Sequence, residues 1–242
     1  MAIAAVLLLA AGYFFWLRDS SLVAVNDVKV SGLSPSPQRS EIEGALTRAG
    51  QGMTTLHVQS ADLEAAVARF PTVAGVEADA DFPHGLSIKV IERPPALIAT
   101  DGESDAAVAA NGDVLPGVDA PSDQLPTLQV DKLPSSGALT GEDLQEALVA
   151  GAAPAPLAPL VEGIAYGSED GVTLTVKGGI ELRFGDAGKA ADKWAAAAAV
   201  LADPRLDTLS YVDVRVPKRP AVGGTGEGAT STPPETATTP TT

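Results

Sequence analysis

The stretch Phe82-Pro83-His84-Gly85-Leu86-Ser87-Ile88-Lys89-Val90-Ile91-Glu92-Arg93-Pro94-Pro95 constrains the fold of this chain more than any other. Pro-x-Gly suits a tight turn, because Pro presets φ and Gly accepts a positive one. Beyond the turn, Leu86, Ile88 and Val90 alternate with Ser87 and Lys89, the period of a strand with one buried face. Pro94-Pro95 then ends the strand, since neither residue can donate to a sheet ladder. The chain before this strand reads as a small α+β domain, and the chain after it as a second, mostly β domain. Glu92 and Arg93 are neighbours on a strand and face opposite ways. They therefore do not form a paired acid and base, and a structural or interdomain role is expected for Glu92, Arg93 and Pro94.

Upstream, Ala2 to Leu17 is an uncharged and almost wholly apolar run. As a helix it spans about 24 Å, against a hydrocarbon core of about 30 Å. Tyr13, Phe14, Phe15 and Trp16 crowd its end beside Arg18, as an interfacial aromatic belt would. Residues 1–21 are expected to be a retained single anchor. A cleaved signal peptide is the rival reading, although the run lacks a basic leader and a clear small-x-small cleavage site.

From Val23 the pattern changes. Val23, Val25, Val28 and Val30 mark a strand ended by Ser31-Gly32. Ser36-Pro37 and Ser40-x-x-Glu43 are competing helix starts ahead of Ile42, Ala45, Leu46 and Ala49. Ser60 reads as the N-cap of a second helix carrying Leu63, Ala66, Val67 and Phe70. Val73 to Ala80 alternates as a strand, completing the order β-α-α-β-β over residues 22–95. In residues 96–216, Asn111-Gly112 is the strongest hairpin signal. Thr140-Gly-Glu-Asp143 opens a helix with Leu144, Ala147 and Leu148. Strands follow at Ile164–Tyr166, Val172–Val176 and Ile180–Phe184, then an alanine-rich helix from Gly188 to Ala202 and a last strand from Leu209 to Arg215. Residues 217–242 hold five Pro and few apolar residues, the composition of a disordered tail.

Charge and chemistry narrow the function. The net charge is −15, of which −3 lies in residues 25–95 and −12 in 96–216. Such a surface repels phosphate backbones and argues against nucleic-acid binding. Cysteine is absent, so no disulfide, zinc thiolate or thiol nucleophile is possible. Seven acids lie between Asp101 and Asp131 without the D-x-D-x-D-G spacing of a calcium loop. The two histidines, His57 and His84, have no triad partner nearby in sequence, and no G-x-S-x-G, H-E-x-x-H, S-x-x-K or P-loop occurs. No metal, cofactor or catalytic residue is expected. A membrane-anchored scaffold that binds other proteins and a secreted or anchored envelope enzyme or ligand-binding protein remain, and the absence of motifs favours the scaffold.

Five features in order carry a resemblance along nearly the whole chain. They are the V-x-x-V-x-V-x-G opening (Val25 to Gly32), the Pro-x-Val step at Pro71-Thr72-Val73, "FPHGLSIKVIERPPA", "GGIELRFGD" before a helix with Lys189 or Lys193, and "YVDVRVPKRPAVGG". Together they resemble the FtsQ/DivIB family of bacterial cell-division proteins, whose members often carry Trp where this chain has Thr72. The resemblance implies a POTRA domain at 22–95 and an FtsQ-type, mostly antiparallel β domain with flanking helices at 96–216. It also implies a single-pass inner-membrane protein of the division septum, without enzymatic activity, whose folded domains lie outside the cytoplasm. The implied partners are FtsB (DivIC) and FtsL, with contacts to FtsW and FtsI. The implied partner-binding face is the C-terminal end of the β domain: Tyr211, Val212, Asp213, Val214, Arg215, Val216, Ala221 and Val222. An exposed last strand offers unpaired main-chain groups to a partner strand, and on that reading Tyr211–Arg215 is an accessible edge.

Overall fold

The computed structural model describes Arg18 and residues 20–135, 137–206 and 208–224. The expected anchor, residues 1–21, lies outside them except for Arg18, Ser20 and Ser21. Among the described residues no helix is long and apolar enough to cross a membrane. The chain divides into two compact units, one up to Ala120 with Val130–Leu139, the other Pro121–Gln129 with the chain from Thr140 onward.

The first unit starts with a 3-10 turn, Ser21–Val23, followed by β1 (Asp27–Ser31), α1 (Arg39–Gln51), α2 (Ser60–Val67), β2 (Val73–Asp81) and β3 (Gly85–Glu92). β3 is central, parallel to β1 and antiparallel to β2. The expected β-α-α-β-β order is present, and the alternation of β3 has the anticipated result. Leu86, Ile88 and Val90 are buried against Ile42, Leu46, Leu63, Val67 and Phe70. Each such side chain contributes about 1.5–3 kcal/mol of transfer free energy. The helix starts differ from expectation. Gln38 and Gln59 occupy the two N-cap positions, and neither caps with its side chain. Ser40 lies inside α1, and Glu43 accepts from Arg39 Nε at 2.9 Å. An i,i+4 ion pair has taken the Glu that a capping box would have used.

The chain does not leave sheet structure at the two prolines. β4 (Pro95–Thr100) opens on Pro95 and pairs antiparallel with β5 (Asp105–Ala109). Pro is tolerated as the first residue of a strand, where its missing N–H breaks no ladder bond. Asp101 Oδ1 holds the turn by accepting from Glu103 N at 3.1 Å and Ser104 N at 2.9 Å, and these bonds keep its carboxyl below the ordinary value. Asn111-Gly112 forms a turn with Gly112 at φ +86°, returning Val114 to bridge Val108.

The second unit contains β6 (Thr127–Gln129), α3 (Gly141–Ala150), β7 (Val161–Gly167), β8 (Gly171–Val176), β9 (Ile180–Gly185), α4 (Ala190–Leu201), β10 (Tyr211–Asp213) and β11 (Ala221–Gly223). A five-stranded sheet runs β11-β10-β9-β8-β7. β7, β8 and β9 form an antiparallel meander. The connection through α4 then brings β10 alongside β9 in parallel, and β11 returns antiparallel to β10. Val172, Leu174, Leu182, Phe184, Val212 and Val214 form the buried face with Trp194 and Ala197 of α4. Trp194 Nε1 donates to Val149 O at 2.7 Å, and its ring lies 5.0 Å from that of Phe184. α3 consequently buries Glu146, Ala147, Val149 and Ala150, and of the expected face of Leu144, Ala147 and Leu148 only Ala147 is fully buried.

The C-terminal segment departs from expectation in two ways. Residues 217–242 read as disordered, yet Ala221–Gly223 is a strand; residues 225–242 of that tail lie outside the described residues. Composition misses β11 because its order comes from main-chain bonding and not from burial. Ser210 N and Ser210 Oγ both donate to Gly223 O, at 2.8 and 3.0 Å. Tyr211–Asp213 in turn is not an accessible edge, since β11 covers it on the side away from β9.

Candidate protein-protein interface

The open edge beside β10 belongs to β11, and the alternation of hydrogen bonds shows which of its groups point outward. Glu181 N donates to Ser210 O at 3.0 Å and Val214 N donates to Arg183 O at 2.9 Å. Even-numbered residues of β10 thus turn their main-chain groups to β9, and Tyr211 and Asp213 turn theirs to β11. Their register partners are Gly223 and Ala221. The N–H and C=O of Val222, between those pairs, therefore face away from the sheet, because successive residues of a strand point their main-chain groups to opposite sides. The Val222 side chain opposes Val212. Val212 is fully buried, whereas Val222 is 41% exposed. Val216, in the turn before β11, is 59% exposed.

On the sheet's other face, Arg183 of β9, Tyr211 of β10 and Gly223 of β11 lie side by side. The Arg183 guanidinium stands 4.4 Å from the Tyr211 ring centroid, a cation–π distance. Glu181 Oε1 accepts from Arg183 Nε at 2.6 Å, and this bond raises the guanidinium pKa further. The opposite side of the ring needs Gly223, where a Cβ would come within 2.1 Å of Tyr211 Cε1. Asp213 accepts from Arg215 at 2.6 Å, and that bond holds the Asp213 carboxyl below its ordinary value. The Arg215 side chain lies over Gly185, whose φ is +72°.

The sequence-derived site residues therefore divide. Tyr211, Val212 and Asp213 form the internal strand β10, Val214 is buried in the core, and Arg215 and Val216 follow in the turn. Ala221 and Val222 carry the edge. Arg183 and Gly223 were not anticipated. The outward phase of "IELRF" could have marked Arg183, but the tight approach at Gly223 depends on a strand that composition concealed. Of the two candidate lysines, Lys193 is buried, and its Nζ donates to Phe184 O, Asp186 O and Asp186 Oδ1, each at 2.9 Å. The bond from Lys193 holds the Asp186 carboxyl low. Lys189, by contrast, caps α4 in a left-handed conformation at φ +57°. It lines an open groove of about 600 Å³ with Asp192, Ala195, Ala196, Val216 and Lys218.

Glu92, Arg93 and Pro94 belong to the first unit. Glu92 accepts from Ser34 N at 2.9 Å and Ser34 Oγ at 2.5 Å. Arg93 is ion-paired with Asp113, and its N–H donates to Thr72 O at 2.8 Å. Glu92 and Arg93 thus have different partners, and each is engaged in holding loops. His84 Nδ1 lies 3.0 Å from Ala24 O, and the His57 ring lies beside the Arg18 guanidinium. Among the described residues no His, Asp and Glu cluster could hold a metal ion.

Two family models match this sequence, one for each piece of the chain. Residues 23–93 match the sequence model of the FtsQ-type POTRA domain, and residues 96–215 that of the C-terminal region of cell division protein FtsQ/DivIB. The chain is 32% identical over 226 residues to the cell division protein FtsQ of Streptomyces venezuelae, covering 90% of this chain and 81% of that protein. It is 29% identical over 238 residues to the FtsQ of Streptomyces coelicolor, covering 92% and 86%.

Proposed function

The chain belongs to the FtsQ/DivIB family of bacterial cell-division proteins, and we propose that it is a non-enzymatic scaffold of the divisome that offers its β11 edge to the FtsB/DivIC–FtsL pair. The family is septal and membrane-associated. On this reading residues 1–21 anchor the chain once in the inner membrane, with both folded units outside the cytoplasm. FtsW and FtsI are further contacts, which would bridge early and late division proteins.

The observation that carries the reading is the outward N–H and C=O of Val222 on a strand that nothing covers among the described residues. Strand addition draws affinity from such main-chain groups and selectivity from adjacent side chains. Val222, Val216 and the Arg183–Tyr211 pair supply an apolar ledge and an aromatic anchor on opposite faces of that edge.

Val222→Pro separates this role from a structural one. It removes the outward N–H, which the β10 ladder does not use. Binding of the full chain to an FtsB–FtsL pair should weaken about tenfold or more, equivalent to about 1.4 kcal/mol, with the melting temperature unchanged. Unchanged affinity would refute strand addition at β11.

A further inference from the structure

The first unit carries a pair of exposed apolar side chains at one end of its sheet. Phe82, in the turn between β2 and β3, is 70% exposed, and Leu22, in the 3-10 turn, is 61% exposed. Isolated surface hydrophobes need no explanation, but these two stand on segments that one residue ties together. Thr55 Oγ1 donates to Val23 O at 3.3 Å and to Pro83 O at 3.0 Å. Asn26 N donates to His84 O at 2.8 Å, and the His84 ring lies against Ala24 O. The chain enters the unit at this same end, where Thr54 Oγ1 donates to Arg18 O at 2.5 Å. Just ahead of Arg18 lies Tyr13-Phe14-Phe15-Trp16-Leu17.

We propose that the Leu22–Phe82 end of the first unit rests in the interfacial layer of a lipid bilayer, with both side chains inserted among the headgroups. The proposal rests on the reading that residues 2–17 enter a membrane, and is independent of the β11 edge. Arg18 brings a cation to that end, suited to anionic headgroups, and an aromatic ring is favoured at the membrane–water boundary. Two apolar side chains would hold a free protein only weakly. Tethering at Arg18 makes their insertion an intramolecular step with a high effective concentration. The long axis of β2 then runs away from the bilayer, which places Ala74 about 26 Å along the strand from Phe82.

The chain has no cysteine, so Phe82→Cys and Ala74→Cys each give one labelling site. The full chain, carrying an environment-sensitive fluorophore at either site, is reconstituted in vesicles of phosphatidylethanolamine and phosphatidylglycerol and recovered by flotation. The probe at position 82 should emit at shorter wavelength and be quenched about twofold or more by nitroxide-labelled lipid, since interfacial insertion reaches about 5–10 Å. The probe at position 74 should not respond. A Leu22→Cys label should behave like position 82 and lose its quenching when combined with Phe82→Ser. A floated chain whose position 82 is as unresponsive as position 74 overturns the proposal. A chain that fails to float refutes the membrane entry of residues 2–17, and the proposal with it.

Discussion

Glu146 should make the second unit lose stability as the pH rises from about 4.5 to neutrality. The residue is 7% exposed, on the buried face of α3. Burial, reinforced by the charges of Asp143 and Glu142, raises its carboxyl from 4.5 to about 7. An acid whose folded-state pKa exceeds its unfolded value binds more protons when folded between those two values. Stability is therefore full below about pH 4.5, falls between there and about pH 7, and levels off above it. One pKa unit corresponds to about 1.36 kcal/mol, so the loss above the folded-state pKa is about 3 kcal/mol. Glu146→Gln keeps the shape and removes the charge. Urea unfolding of both forms, followed by circular dichroism and Trp fluorescence, should give similar midpoints near pH 4 and separate progressively toward pH 8. There the Gln form should be more stable by about 3 kcal/mol, a midpoint shift of about 1–3 M urea for typical slopes. Parallel pH profiles for the two proteins would refute the reasoning, because an ionisation that both share cannot arise from Glu146.

Three other substitutions follow from the geometry. Lys193→Met should leave Phe184 O and Asp186 O without their buried donor and cost about 2–4 kcal/mol in denaturant unfolding. Gly223→Ala should displace the Tyr211 ring from beneath Arg183, and titration with the FtsB–FtsL pair should show a larger loss than the thermal melt does. Tyr211→Ala, which removes an aromatic of the kind that dominates interfaces, should cost about 2 kcal/mol of binding energy. Because β10 is internal, it should also lower the melting temperature slightly, which differential scanning calorimetry would detect.

How much of this was legible in the chain depends on where each element obtains its stability. β3 was readable from end to end because one face is buried and the alternation of Leu86, Ile88 and Val90 records that burial. β8 and β9 were readable for the same reason, with Asp170-Gly171 and Gly178-Gly179 marking the turns on either side of β8. Helix caps were misread because Ser36, Ser40 and Ser60 look like caps in isolation, whereas the partner of Glu43 is decided by the i,i+4 geometry with Arg39. β11 was hidden altogether. Ala221, Val222 and Gly223 bury little, and their order is a property of the ladder with β10. The candidate site shared that fate: its residues could be named from family motifs, but their division into a covered strand and an open one could not. Pairing partners are non-local, and no pattern within Tyr211–Arg215 says whether another strand lies beyond it.

The parallel placement of β10 has a kinetic consequence. β7, β8 and β9 are joined by tight turns and can zip as local hairpins. β10 reaches β9 only after residues 186–210, with α4 among them, have folded back over the sheet. Contacts that close longer loops form more slowly. β11 can pair with β10 locally across the short turn between them, but the two strands join the sheet only with that closure. The edge that would receive a partner is thus joined to the rest of the second unit's sheet only after its longest loop has closed. A newly made chain whose core had not yet closed would carry that edge only on an undocked hairpin, so capture would favour molecules that have finished folding.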